Sequence, residues 1–317
     1  LRGAPALGES KIETISISRK PSNDTTRQHG IIPLSSSVLF WPRLGTSQGK
    51  GASMRTMARL LFILLAFALS GAAGRAATRT ASTCNANDVQ AAINTAVAGD
   101  TVVIPAGTCT WTTRVSWKAP SNTVLQGQTT CTGSGAPSSN NLSCTDSTLI
   151  IDGLNRSSLG DIPALSITTS SSGTFRLTGI TLTSSGGSSN QTYNGALSID
   201  GASQQFRFDH SHLKNINAVQ MDIDGQIYGV IDHVLVDAPS GTVYNGIRIE
   251  ASSWGGGSNN FGDGSWADAS TLGSSRFIFV ENSTFNNGAA NDCTQGGRWV
   301  FRYNTFNMTP PAPSLQT

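Results

Sequence analysis

Arg207-Phe208-Asp209-His210-Ser211-His212-Leu213 has four gapless counterparts elsewhere in the chain, and together they decide the fold. They are Arg176-Leu177-Thr178-Gly179-Ile180-Thr181-Leu182, Gly229-Val230-Ile231-Asp232-His233-Val234-Leu235, Phe279-Val280-Glu281-Asn282-Ser283-Thr284-Phe285 and Val300-Phe301-Arg302-Tyr303-Asn304-Thr305-Phe306. The second and seventh columns are apolar in all five. The seventh-column residues, Leu182, Leu213, Leu235, Phe285 and Phe306, are separated by 31, 22, 50 and 21 residues. A basic period of about 22 follows, with the excess placed in Gly/Ser/Asn-rich loops at 184–194 and 252–275. Loops of variable length on a constant core mark a solenoid, in which each repeat packs only on its neighbours.

Between the heptapeptides lie strands of period 2 at 164–168, 196–200, 219–224 and 246–250, so each coil holds three short strands. The fold class expected is all-β: a right-handed parallel β-helix, with Leu182, Leu213, Leu235, Phe285 and Phe306 stacked inside. Ahead of the repeats, Asn87 can cap a short helix in which Val89, Ile93, Ala96 and Val97 share a face and Gly99 supplies the C′ position. A strand at 101–105 follows at once. Composition agrees, since only 13% of the 317 residues are charged and 34 are glycine, which argues against a long charged helical bundle.

Residues 1–53 show no sustained period of either kind, and we expect them to be unstructured, upstream read-through. At Met54 a short basic segment precedes an apolar run from Leu60 to Leu69, followed by small residues; residues 54–77 read as a signal peptide. The run is half the length a membrane span requires, so export is expected rather than anchoring, with no membrane span in the mature chain. Residues 1–77 hold ten Lys and Arg and three acids, which leaves eleven against sixteen downstream, a net charge of −5. The apparent pI near 8.4 therefore belongs to the leader, and nucleic acid is a poor partner for what remains.

Five cysteines behind an export signal read as a disulfide framework. Cys84 with Cys109 and Cys131 with Cys144 are the expected pairs. Cys293 is left over, with a partner expected beyond the Pro-rich tail at 309–317. No two cysteines have the close spacing of a zinc site.

The opening helix, the stretch Asp100-Thr101-Val102-Val103-Ile104-Pro105-Ala106-Gly107, the Asn-Ser-Thr-Phe (282–285) and Asn-Thr-Phe (304–306) turns and the repeat make residues 84–308 resemble the pectin-lyase-like superfamily. That resemblance implies that the N-terminal helix plugs the first coil, and that an acidic strand face binds an extracellular polysaccharide.

Alternation places Leu197, Ile199, Met221, Ile223, Ile247 and Ile249 inward. Stacking the coils then sets Asp200, Asp224 and Glu250 in one outward column, all facing solvent, and Ser198, Asp222 and Arg248 in the next. Neighbouring strands lie about 4.8 Å apart, so such crowding raises carboxylate pKa values or recruits a cation. By the resemblance, Asp222, Asp224, Arg248 and Glu250 are the candidate catalytic group, with Arg248 as base or charge neutraliser. Asp200, Asp224 and Glu250 are candidate calcium ligands. Asp200 with Trp254 and Trp266 of the long loop, near Phe261, Asp263 and Asp268, are candidate substrate contacts. The same residues read without a family are a solvated acidic surface. Polygalacturonases of this fold carry Asp-Asp and Gly-His-Gly motifs that are missing here; Asp222-Ile223-Asp224-Gly225 and Arg248-Ile249-Glu250 are faint echoes of their others.

The fourth heptapeptide column, Gly179, His210, Asp232, Asn282 and Tyr303, reads as an inward polar turn position, pairing His210 with Asp232 structurally. His212 and His233 lack a zinc spacing. In the third column Glu281 and Arg302 should form a cross-strand ion pair. The function expected is a secreted, monomeric carbohydrate-active protein, extracellular or periplasmic. Its favoured chemistry is that of a polysaccharide lyase, cleaving a uronate polymer by β-elimination. The alternatives are a non-enzymatic cell-surface or adhesion protein and a glycoside hydrolase with paired carboxylates.

Overall fold

The structure, a computed structural model, describes residues 76–156, 162–185, 196–216, 219–238, 244–250, 274–287, 289–294 and 297–307, all within the unit Leu69–Thr317. The expectations for residues 1–53, for the leader up to residue 75, for the loop bearing Trp254 and Trp266 and for the tail at 309–317 lie outside the described residues.

The chain visits three parallel sheets in rotation. Sheet I has eight strands, Thr78–Thr80, Thr101–Val103, Thr123–Gln126, Thr174–Thr178, Gln205–Asp209, Gly229–Asp232, Ile278–Glu281 and Trp299–Arg302. Sheet II has seven: Gly107–Trp111, Thr148–Asp152, Thr181–Ser184, His212–Lys214, Leu235–Asp237, Thr284–Asn286 and Thr305–Asn307. Sheet III comprises Val115–Ala119, Leu165–Thr169, Leu197–Gly201, Met221–Gly225, Tyr244–Glu250 and Ala289–Thr294. Each strand pairs with those one coil before and after it, which is the stacking of a parallel β-helix.

Like residues stack inside. In sheet I, Val102, Leu125, Leu177, Phe208, Ile231, Val280 and Phe301 are successive register partners. In sheet II the inward line runs Cys109, Ile150, Leu182, Leu213, Val236, Phe285, Phe306. The third heptapeptide is therefore shifted by one residue from its expected alignment: Val236 is fully buried, and Leu235 pairs with His212 instead. Val234-Leu235-Val236 is apolar throughout, so its pattern carries no phase; a one-residue slip turns each side chain to the opposite face.

The turn between sheets I and II sets the frame. Gly179, His210, His233, Asn282 and Tyr303 all have positive φ, from 45° to 68°. His233, not Asp232, belongs to the fourth column, and the column faces outward; Tyr303 is 65% exposed. The inward polar position is the next one along. The Ser211 Oγ accepts from the Ile180 amide, the Ser283 Oγ from Val234 and the Asn304 Oδ1 from Ser283, each reaching back one coil. These buried amides at the turn are thereby satisfied.

The helix runs Ala86–Asn94 with Asn85, not the expected Asn87, as N-cap and Thr95 as C-cap, so it starts earlier than expected and is shorter at its C-terminal end. Val89 and Ile93 join the core, but Val97 is 51% exposed, because the chain turns at Gly99 (φ 90°) to start the next strand. Gln90 pairs with Ser116 as a backbone would, donating from Nε2 to its carbonyl and accepting its amide on Oε1, each at 2.9 Å. The first strand of sheet III therefore has its edge groups at Ser116 occupied. Trp111 donates from Nε1 to the Cys84 carbonyl at 2.8 Å, beside the Cys84–Cys109 disulfide, whose Cα atoms are 5.7 Å apart. Cys131 and Cys144 form the second expected bridge, in an antiparallel hairpin, Thr130–Thr132 with Ser143–Thr145. Cys293 is part of neither.

Candidate functional site

Alternation on sheet III brings the expected acids into register. Lys118, Thr168, Asp200, Asp224, Glu250 and Thr294 are successive partners in one row. Ser116, Ser166, Ser198, Asp222, Arg248 and Asp292 form the row two residues before it. Ile199, Ile223 and Ile249 anchor these strands in the core. Gly201 and Gly225 end two of them at φ 106° and 116°, and a Cβ on Gly225 would sit 2.3 Å from the Gly201 carbonyl oxygen. Only glycine fits that stacked turn, so the acids stand at the strand ends.

Contrary to the expectation that all three acids face solvent, the column is unevenly exposed. Asp200 is exposed, Asp224 and Glu250 are half-buried, and Asp222 in the adjacent row is 5% exposed. The reason is Arg248, whose guanidinium lies across the two rows. Its Nε stands 3.0 Å from Asp222 Oδ1 and 3.3 Å from Glu250 Oε1. Burial pushes the Asp222 carboxyl up to about 6, with the charges of Glu250 and Asp224 adding to the rise and Arg248 opposing it. A carboxyl poised there can both hold and release a proton near neutral pH.

Among the described residues no three His, Cys, Asp or Glu side chains stand close enough together to hold a metal ion. Asp200, Asp224 and Glu250 share a column without forming a ligand set, and Arg248 brings a positive charge to Glu250. The residues present do not fit a built calcium site.

A second polar cluster lies on sheet II. His212, 6% exposed, has Nδ1 2.8 Å from Asp146 Oδ1 and Nε2 2.9 Å from Asp237 Oδ2. Lys214 and Thr181 also donate to Asp146, and Asn286 to Asp237. Burial raises the two carboxyls, but Lys214 and His212 outweigh it at Asp146, and His212 and Asn286 at Asp237, so both are held below the usual range. Sequence reasoning missed this set because Asp146 arrives from the disulfide hairpin, 66 residues away. Its only local signal is that His212 and Lys214 alternate on one strand. The hairpin is further fastened by Gly135, which donates to the Asn282 carbonyl, and by Thr284, which donates to Asn140.

On the turn face, His210 stacks on His233, with ring centroids 5.0 Å apart, rather than pairing with Asp232 as expected. Asp232 instead accepts from Arg207 and His233. Asp209 is fully buried and accepts from Arg176 and Arg207; its burial raises the carboxyl, and these partners with Thr178 lower it below the usual range. The expected Glu281–Arg302 pair is present.

The described architecture defines a β-rich protein of stacked parallel strands, in the manner of parallel β-helices. No family model matches the chain, and no curated protein matches it. Among solved structures it is similar to an alginate lyase from Paenibacillus sp. str. FPU-7, at 17% identity and a TM-score of 0.38, covering 73% of this chain and 76% of that one. Among the described residues no helix is long and apolar enough to cross a membrane.

Proposed function

We propose that the chain is an exported carbohydrate-active protein, with coils winding right-handed as parallel crossovers do, which cleaves a uronate-containing polysaccharide by β-elimination on the outer face of sheet III. The observation that supports this reading is the Asp222–Arg248–Glu250 arrangement. It offers an anion-binding guanidinium and, beside it, a carboxyl whose proton affinity is already raised to about 6.

In β-elimination the sugar carboxylate must be neutralised so that the adjacent C–H becomes acidic. A base then takes that proton, the C–H electron pair forms the new C=C bond, and the glycosidic oxygen departs and is protonated. A substrate carboxylate competes with Asp222 and Glu250 for Arg248. Because Arg248 lowers the Asp222 pKa, its transfer to the substrate leaves Asp222 more basic. Binding itself thus prepares the proton acceptor. Asp224 and Glu250 add the negative charge that reinforces this, and Asp200 extends the sugar-binding surface. The two disulfides accord with an oxidising destination. The reading is tested by incubating the protein with a panel of uronate and neutral polysaccharides, with calcium and with chelator. Unsaturated products from uronate polymers alone support it. Reducing ends without unsaturation indicate a hydrolase, and binding without products indicates an adhesion protein.

A further inference from the structure

Asp100 is fully buried where the chain enters the first coil, and it accepts three hydrogen bonds from three donors. Its Oδ1 takes the Ala77 amide at 2.9 Å, and its Oδ2 takes the Val97 amide and the Arg79 Nε, each at 3.0 Å. The amides of Val97 and Ala77, then Arg79, hold its carboxyl below the usual range. The Ala77 carbonyl in turn accepts from the Thr101 amide at 2.9 Å, and the next residues, Thr78–Thr80, form the edge strand of sheet I. Ala77 is thus the first residue of the chain hydrogen-bonded into the solenoid among those described. Ala76 before it is exposed.

The sequence immediately upstream has the form a leader peptidase requires. The apolar run ends at Leu69, and Gly74 and Ala76 put small residues three and one before the 76/77 bond. Cleavage after Ala77 would put Arg75 at the upstream small-residue position, and cleavage after Ala73 would leave three further residues ahead of the strand.

We propose that the Ala76–Ala77 bond is the processing site, and that the α-ammonium it releases is a structural cation clasped by Asp100. Hydrolysis adds one water: the carboxylate stays on Ala76 and the amine on Ala77. The atom that carries the new charge is the nitrogen already 2.9 Å from Asp100 Oδ1. One amide donor becomes an ammonium with three, and a hydrogen bond charged only on its acceptor side becomes an ion pair with a buried carboxylate. The other cation on Asp100, Arg79, has a side chain 37% exposed, so the ammonium adds a second charge to the same carboxylate. Removal of the leader thereby stabilises the first coil of the protein it releases.

This inference rests on the export reading, and the experiment separates the two. The full chain is produced in an exporting host, and the exported protein is analysed by N-terminal sequencing and intact mass. A start at Ala77 is expected; a start at Gly74, Thr78 or elsewhere overturns the proposal while leaving export intact, and a protein retained with its leader uncut overturns both. Asp100→Asn is then compared in two mature forms, one starting at Ala77 and one extended by Gly-Arg-Ala. The ionic clasp predicts a larger drop in Tm for the Ala77 form, and a difference between the forms that disappears as pH rises through the α-amino pKa, which a carboxylate partner raises. Equal drops in the two forms at every pH would overturn the structural role.

Discussion

Arg248 and Asp222 are direct register partners on adjacent strands of sheet III, and the Arg248 Nε lies 3.0 Å from the carboxylate it covers. Removing the guanidinium leaves Asp222 buried beside Asp224 and Glu250 with its principal cation gone. Arg248→Ala should therefore cost about 3 kcal/mol at pH 8, the lower end for breaking a buried pair, and less at pH 5, where Asp222 is protonated. Urea denaturation at the two pH values measures both numbers, and a pH-independent loss would place the effect in packing instead.

Asp222 itself makes the fold pH-sensitive in an unusual direction. Its pKa is raised from 3.8 to about 6, so the folded state binds the proton more tightly than the unfolded one. Its penalty is absent below pH 3.8, grows as pH rises, and is complete above about 6, where it amounts to roughly 3 kcal/mol. Asp222→Asn should flatten that part of the stability profile. Asp146 and Asp237 act oppositely: their pKa values are depressed, so their contribution is present above the unfolded value and lost as pH falls through the folded one.

The hairpin is closed on itself by the Cys131–Cys144 bridge and held to the sheet II coils by Asp146 on His212, Gly135 on Asn282 and Thr284 on Asn140. An imidazolium can donate to Asp146 and Asp237 together, whereas a neutral ring can donate to only one. His212→Gln, which cannot set one ring nitrogen against Asp146 and the other against Asp237, should raise hydrogen exchange in residues 130–145 before it alters sheet III. Replacing both cysteines by serine should cost about 3 kcal/mol from the shorter loop's closure entropy. Exchange mass spectrometry distinguishes a local loosening from a global one.

Tyr303 holds a left-handed backbone, φ 57°, at an exposed turn. Asparagine tolerates that region better, so Tyr303→Asn should stabilise by about 1 kcal/mol. A loss measured by thermal unfolding would mean that the contact of its ring with Arg302, 6.0 Å away, outweighs the strain.

The solenoid was legible because core residues such as Leu182 and Phe285 keep a basic period of about 22 once the loops at 184–194 and 252–275 are set aside, and both disulfides because the cysteines follow an export signal. So was the acid column, since Ile199, Ile223 and Ile249 fix which neighbours point out. The phase of the third heptapeptide was not, because three consecutive apolar residues, 234–236, fit either face. It took the left-handed turn at His233 to fix it. Nor was the burial of Asp222, which depends on where a long arginine side chain lies rather than on strand alternation. The Asp146–His212 contact joins elements 66 residues apart and has no periodic signature.

In the proposed mechanism the Asp222–Arg248 pair performs elimination on a uronate polymer. The direct measurement is the ultraviolet absorbance of unsaturated product formed by the wild-type protein, Asp222→Asn and Arg248→Ala, each first shown by circular dichroism to be folded. The account predicts product from the wild type and at least a hundredfold slower formation by either variant, in line with the loss of a general base. Equal rates in all three, or no unsaturated product from any uronate polymer, would contradict it.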